Sequence, residues 1–210
     1  MTEQDRLVFV VDDDQDIRTS LTRALRQRGF EVEAFESAKA FLSGFDGSRS
    51  ACLVLDYGMP DVNGLELQEE LNSRGWPLAI VFITGHGGVR ESVQAMKSGA
   101  VDFLEKPFRQ SELVERIEVA LDMAEAKRAS TAEADEIRAR FSRLTEREAE
   151  IVDQVLAKPA EASSKEIAAA LGISPRTVDH HRARILEKLA VRSLVELVKL
   201  AAALPKDQKG

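Results

Sequence analysis

Residues 52–60 read Cys52-Leu53-Val54-Leu55-Asp56-Tyr57-Gly58-Met59-Pro60: an apolar run, a carboxylate, then a turn-like stretch. A short apolar run bounded by turn residues is the pattern of a fully buried strand, and this one delivers Asp56 at its C-terminal end. The same arrangement recurs along the chain. Leu7-Val8-Phe9-Val10-Val11 ends in Asp12 and Asp13, Ile80-Val81-Phe82-Ile83 ends in Thr84, and Phe103-Leu104-Glu105 ends in Lys106 before Pro107. Four strand-like segments thus present polar groups at their C-terminal ends, the edge where open parallel α/β sheets bind ligands.

Working outward, strands are predicted at 7–11, 32–35, 52–55, 79–83 and 102–105, the second weaker and more polar. Between them the spacing of apolar residues predicts helices over 16–28 (closed by Gly29), 37–45 (capped by Ser37), 65–71, 89–98 (stopped by Gly99) and 111–121. Alternating β and α segments imply a parallel sheet covered on both faces. Residues 122–141 hold no Pro or Gly and read as a helical connector, with a dimer coiled coil as the alternative. The domains are therefore placed at 1–121, a linker at 122–141, and 142–210.

The 210 residues are acidic overall, but unevenly so. Residues 1–141 carry 26 acidic against 17 basic residues, whereas the remainder carries 10 against 12, which suggests two modules with different partners. A single cysteine, Cys52, excludes an internal disulfide and reads as a small core residue. No apolar stretch is long enough to span a membrane, and the polar start does not fit a signal peptide, so the expected location is the cytoplasm.

In the doubly wound strand order 2-1-3-4-5, strands 1 and 3 are neighbours, which sets Asp12 and Asp13 beside Asp56. Three adjacent carboxylates repel one another, and a divalent cation relieves this. Hard oxygen donors with no His or Cys nearby favour Mg²⁺, with Mn²⁺ as a substitute. Mg²⁺ commonly bridges to phosphate oxygens. Thr84 offers a hydroxyl and Lys106 a mobile cation, so the parts suit in-line phosphoryl transfer to Asp56.

These residues resemble a bacterial response-regulator receiver domain over residues 5–125, through Val11-Asp12-Asp13-Asp14, Asp56-Tyr57-Gly58-Met59-Pro60, Thr84-Gly85-His86-Gly87 and Lys106-Pro107-Phe108. The resemblance implies a flavodoxin-like fold and phosphorylation of Asp56 by the phosphohistidine of a sensor histidine kinase. It implies Mg²⁺ held by Asp13, Asp56 and the Gly58 carbonyl, with Asp12 acting through water. Thr84 would move toward the phosphoryl group and Lys106 would pair with it. Phe103 would be the switch aromatic, forming one two-state element with Thr84. His86 stands near the pocket mouth, where it could touch hydrolysis of the aspartyl phosphate.

The tail reads as four short helices. Thr145 with Glu148, and Ser163 with Glu166, have capping-box spacing, and Ser174-Pro175 is an N-cap followed by proline. Helices predicted at 165–171 and 175–189, joined at Gly172, make a helix-turn-helix. The stretch from Arg176 to Arg192 carries five Lys/Arg, two acids and two His. Residues Leu144–Glu148, Lys165–Ala168, Leu171–Val178 and His181–Ala183 resemble the LuxR/NarL-type DNA-binding domain, and the whole chain resembles a FixJ-type regulator. By that resemblance Lys165, Thr177, His181, Arg182 and Arg184 contact or flank phosphates, Asp179, His180 and Ala183 face base edges, and Arg176 belongs to the same DNA-facing helix. The connection 156–164 is longer than the usual pattern and has Ser164 where Asn is common.

The implied whole is a two-component transcription regulator that is not an enzyme, binds two-fold symmetric double-stranded DNA, and is a homodimer when phosphorylated. Two rivals remain: a phosphatase of the haloacid-dehalogenase type, whose nucleophile would follow the first strand, and a regulator whose tail binds protein.

Overall fold

The computed structural model describes residues 6–85 and 89–204. Five parallel strands, β1 (Leu7–Val11), β2 (Glu31–Phe35), β3 (Ala51–Asp56), β4 (Leu78–Thr84) and β5 (Asp102–Glu105), form one sheet in the order β2-β1-β3-β4-β5. The predicted order is thus observed. Every residue of β1, β3 and β4 is buried because these strands are covered on both faces, which is why they read as continuous apolar runs. β2 is an edge strand with Glu31, Glu33 and Ala34 exposed, hence its weaker signal.

Side chains alternate between the two faces of the sheet. Phe9, Leu53, Leu55 and Phe82 pack with α2 (Ala38–Gly44), α3 (Gly64–Arg74) and α4 (Val89–Lys97). Val10, Val54, Val81 and Ile83 pack with α1 (Gln15–Arg26) and α5 (Gln110–Phe141). Helix α3 is longer than predicted. Asn63 caps it reciprocally with Glu66, and Gly75, at φ +66°, closes it in the left-handed region that favours glycine. The predicted helix at 111–121 and the connector at 122–141 form one 32-residue helix, α5, with Ala124 its last residue in that sheet-facing core. Nothing after Pro107 interrupts it: no Pro or Gly occurs until residues beyond 141.

The chain divides into two compact units, Met1–Ala129 and Ser130–Gly210. The second contains α6 (Glu146–Ala157), a 3₁₀ turn (Pro159–Glu161), α7 (Ser164–Leu171), α8 (Pro175–Leu189) and α9 (Leu194–Ala202). Its core gathers Ile151, Val155, Ile167, Val178, Ile185, Leu189 and Leu197. Both expected capping boxes form, and Ser174 and Ser193 accept backbone N–H groups at the starts of α8 and α9.

Candidate functional site

Strand pairing carries the polar residues to one edge. Val11 is in register with Leu55, so Asp12 and Asp56 leave adjacent strands side by side. Asp12, Asp56 and Thr84 are 1%, 7% and 2% exposed, three of the few buried polar residues among the described residues. Lys106 sits between the two carboxylates: its Nζ donates to Asp12 Oδ2 at 2.9 Å and to Asp56 Oδ1 at 2.8 Å. The second Asp56 oxygen accepts from Gly58 N at 2.8 Å, and Asp12 Oδ1 accepts from Asp14 N at 2.8 Å.

The electrostatics follow from this burial. Desolvation pushes the Asp12 carboxyl above its ordinary range, and the Lys106 bond only partly offsets it. Burial alone would lower the Lys106 ammonium, but its bonds to Asp56 and Asp12 outweigh that and hold it above its ordinary value. The pair therefore depends on a nearby positive charge.

The backbone that aims these groups is tightly packed. Lys106 N donates to Thr84 O at 2.7 Å and Tyr57 N to Ile83 O at 2.9 Å. A Cβ at Gly64 would lie 2.7 Å from the Phe82 ring and 2.9 Å from the Asp56 carbonyl, so only glycine lets α3 begin there. Phe103 is partly buried, in register with Phe82, with ring centroids 5.9 Å apart from Phe82 and 6.1 Å from Tyr57. Tyr57 thus joins the expected pair of Thr84 and Phe103, a link that sequence spacing did not reveal. Another is Arg18, whose Nη1 donates to Asp12 O at 2.7 Å.

Asp13 and Gly58 are exposed at the same edge. Among the described residues no three carboxylates close into a metal-holding group. The donor chemistry nonetheless fits a hard divalent cation: two buried carboxylates, one resisting ionisation, with a third and a backbone carbonyl beside them. His86 lies outside the described residues.

In the second unit, α7, a turn at 172–174 and α8 form the expected helix-turn-helix. Val178, Ile185 and Leu189 are buried, while Arg176, Thr177, Asp179, His180 and Arg184 are exposed, as is Lys165 on α7. His181 and Arg182 are partly buried. Ser164 is a junction: its hydroxyl donates to Asp179 and accepts from Arg182 Nη1 at 2.8 Å. The long connection before it folds as the 3₁₀ turn, after which Ser163 caps α7. Sequence spacing identified Glu148 only as a capping residue. It is also 2% exposed and accepts from Lys188 Nζ at 2.6 Å, tying α6 to α8. Burial opposes its ionisation, yet the bonds from Lys188 and Thr145 prevail and hold its pKa at about 2.

Comparison with known proteins agrees with both units. The response regulator receiver domain family matches residues 8–118, and the luxR family of bacterial regulatory proteins matches residues 142–201. The transcriptional regulatory protein FixJ of Rhizobium meliloti (strain 1021) is 42% identical over 199 residues, covering 95% of this chain and 96% of FixJ. The solved response regulator StyR is 42% identical with a TM-score of 0.75, covering 93% of this chain and 98% of StyR. Full-length FixJ from B. japonicum is 41% identical with a TM-score of 0.56, covering 94% and 96%.

Proposed function

The chain belongs to the two-component response regulators, with a receiver domain followed by a luxR-family DNA-binding domain, and on that premise we propose how its residues work. It is a phosphorylation-dependent transcription regulator, and Asp56 is the residue that accepts the phosphoryl group, from the phosphohistidine of a sensor histidine kinase. The observation that carries this assignment is the Lys106 ammonium bridging Asp12 and Asp56 at the carboxyl edge of the sheet.

One Asp56 oxygen is oriented by Gly58 N–H and the other by Lys106, so the carboxylate is held ready for in-line attack on phosphorus. As the acyl phosphate forms, Lys106 remains within reach of the added charge, and the Thr84 hydroxyl offers a further donor. Asp12, Asp13, Asp56 and the Gly58 carbonyl would hold Mg²⁺, with Mn²⁺ as a substitute. Bound there, the ion would neutralise phosphoryl oxygens. Thr84, Tyr57 and Phe103 then form the element that carries the change to the α4–β5 surface, where Val93 and Met96 stand 45% exposed. Those apolar residues suit pairing with a second copy when Asp56 is phosphorylated.

The second unit would bind double-stranded DNA as a pair, on a two-fold symmetric site. Arg176, His180 and Arg184 project from the face of α8 opposite its buried residues, while Lys165, Thr177, His181 and Arg182 flank it. Asp179 is restrained by Ser164, so a base contact from it would come from a preset position. Residues 1–121, 122–141 and 142–210 would serve as receiver, helical linker and DNA reader. No helix among the described residues is long and apolar enough to cross a membrane, consistent with action in the cytoplasm.

A phosphatase of the haloacid-dehalogenase type is disfavoured, because its first motif places Thr or Val two residues beyond the second aspartate, where this chain has Asp16, and because it leaves the Asp56 turn without a role. Sustained turnover of a phosphate ester would reverse that judgement. The central test is molar mass by light scattering with Mg²⁺ and beryllofluoride. A monomer-to-dimer shift abolished by Asp56→Asn is the expected result. A shift that persists in that variant would remove Asp56 from the role.

A further inference from the structure

A cavity of about 720 Å³ lies along α1 and reaches Ala34 on the edge strand β2, outside the chemistry above. Its polar lining is three arginines (Arg18, Arg23, Arg26), two threonines (Thr19, Thr22) and amide side chains, with no carboxylate. This lining runs against the composition of residues 1–141, where acids outnumber basic residues 26 to 17. Charges are segregated along α1: Asp14 is spent on capping the helix, and Asp16 lines a different groove beside Lys106.

Two of the arginines are positioned without being neutralised. Arg18 Nη1 donates to Asp12 O at 2.7 Å, and Arg26 Nη2 donates to Val32 O at 2.7 Å. Backbone carbonyls thus hold two guanidiniums in place, and none of the three arginines forms an ion pair among the described residues. A guanidinium has five N–H donors, so each retains spare donors. The wall also contains a buried hydroxyl, Thr22 Oγ1, with no hydrogen-bond partner.

We propose that this cavity binds a small phosphate-bearing anion carrying at least two negative charges. Arginine forks match phosphate oxygens bidentately, and three uncompensated guanidiniums favour a multiply charged guest over a single carboxylate. The volume suits a ligand of nucleotide size. Arg18 gives the site a route to the carboxylate edge, since it grips the backbone of Asp12, whose carboxylate bonds Lys106. That consequence rests on the phosphoacceptor reading; binding itself does not.

The test is a nitrogen-15 NMR titration of the full chain with inorganic triphosphate, in EDTA to silence any metal at the strand edge. The amides of Thr19, Thr22, Arg23 and Ala34 shift together along one saturating curve. Arg23→Glu weakens that binding at least tenfold, because Arg23 lines the cavity without a structural bond of its own. Replacing Arg176 and Arg184 by Ala leaves it within twofold. Shifts confined to α8, absence of saturation at the α1 amides, or equal affinity in Arg23→Glu would each overturn the proposal. A second titration with adenosine triphosphate separates sources: tighter binding than triphosphate upholds a nucleotide site, and equal binding upholds a site for the phosphate chain alone.

Discussion

Two residues at the strand edge illustrate opposite ways of constraining Asp56. Gly64 acts by absence of a side chain. Gly64→Ala drives a methyl against Phe82 and the Asp56 carbonyl, and overpacking of this kind costs about 1–3 kcal/mol. Urea denaturation should show a lower midpoint with an unchanged slope. Lys106 acts by charge. Lys106→Met leaves Asp12 and Asp56 without their shared cation, and the loss of two charge-assisted hydrogen bonds should cost about 2 kcal/mol near pH 7. Because burial already favours the protonated form of Asp12, that loss should shrink as pH falls toward 4. A loss independent of pH would mean that Lys106 contributes packing alone.

At the scale of elements, side chains that fasten one helix to another matter more than helix propensity. Glu148 caps α6 and at the same time grips Lys188 on α8, and Arg147 Nη2 donates to Leu171 O at the end of α7. The folded pKa of Glu148, about 2 against an ordinary 4.5, is depressed, so its contribution is present above about 4.5 and is lost as pH falls from there toward 2. Acid titration followed by helical circular dichroism should therefore show unfolding of α6–α9 in that window. Glu148→Gln should flatten it while lowering stability at pH 7 by about 1–3 kcal/mol. The α8 surface makes a different prediction. Replacing Arg176 or Arg184 by Ala should each reduce the slope of log K against log salt for duplex DNA by about one, measured by fluorescence anisotropy. An unchanged slope would take that arginine off the phosphate backbone.

For the whole molecule, most of the architecture was legible because both units obey strong local rules. Fully buried central strands must be apolar throughout, so β1, β3 and β4 announced themselves and brought Asp12, Asp56 and Thr84 with them. Caps at Ser37, Thr145, Ser163 and Ser174 need only a side chain and a backbone amide a few residues away. The full extent of α3 was not legible, since the reciprocal cap at Asn63 and Glu66 lies in a polar stretch that also reads as a loop. The break placed within α5 was equally a matter of thinning apolar pattern, whereas the backbone there has nothing to stop it.

By itself, then, the order of residues determined which elements form, that the strands are parallel, and which polar groups reach the sheet's carboxyl edge. Local sterics, capping and two-fold or 3.6-fold periodicity depend on neighbours along the chain. Only tertiary structure decided that Lys106 sits between Asp12 and Asp56, that Tyr57 meets Phe103, that Ser164 ties Asp179 to Arg182, and that Glu148 is buried against Lys188. Those contacts join residues far apart in sequence, where the choice among possible partners is made by sheet register and helix packing, and by the cost of leaving a buried charge unpaired.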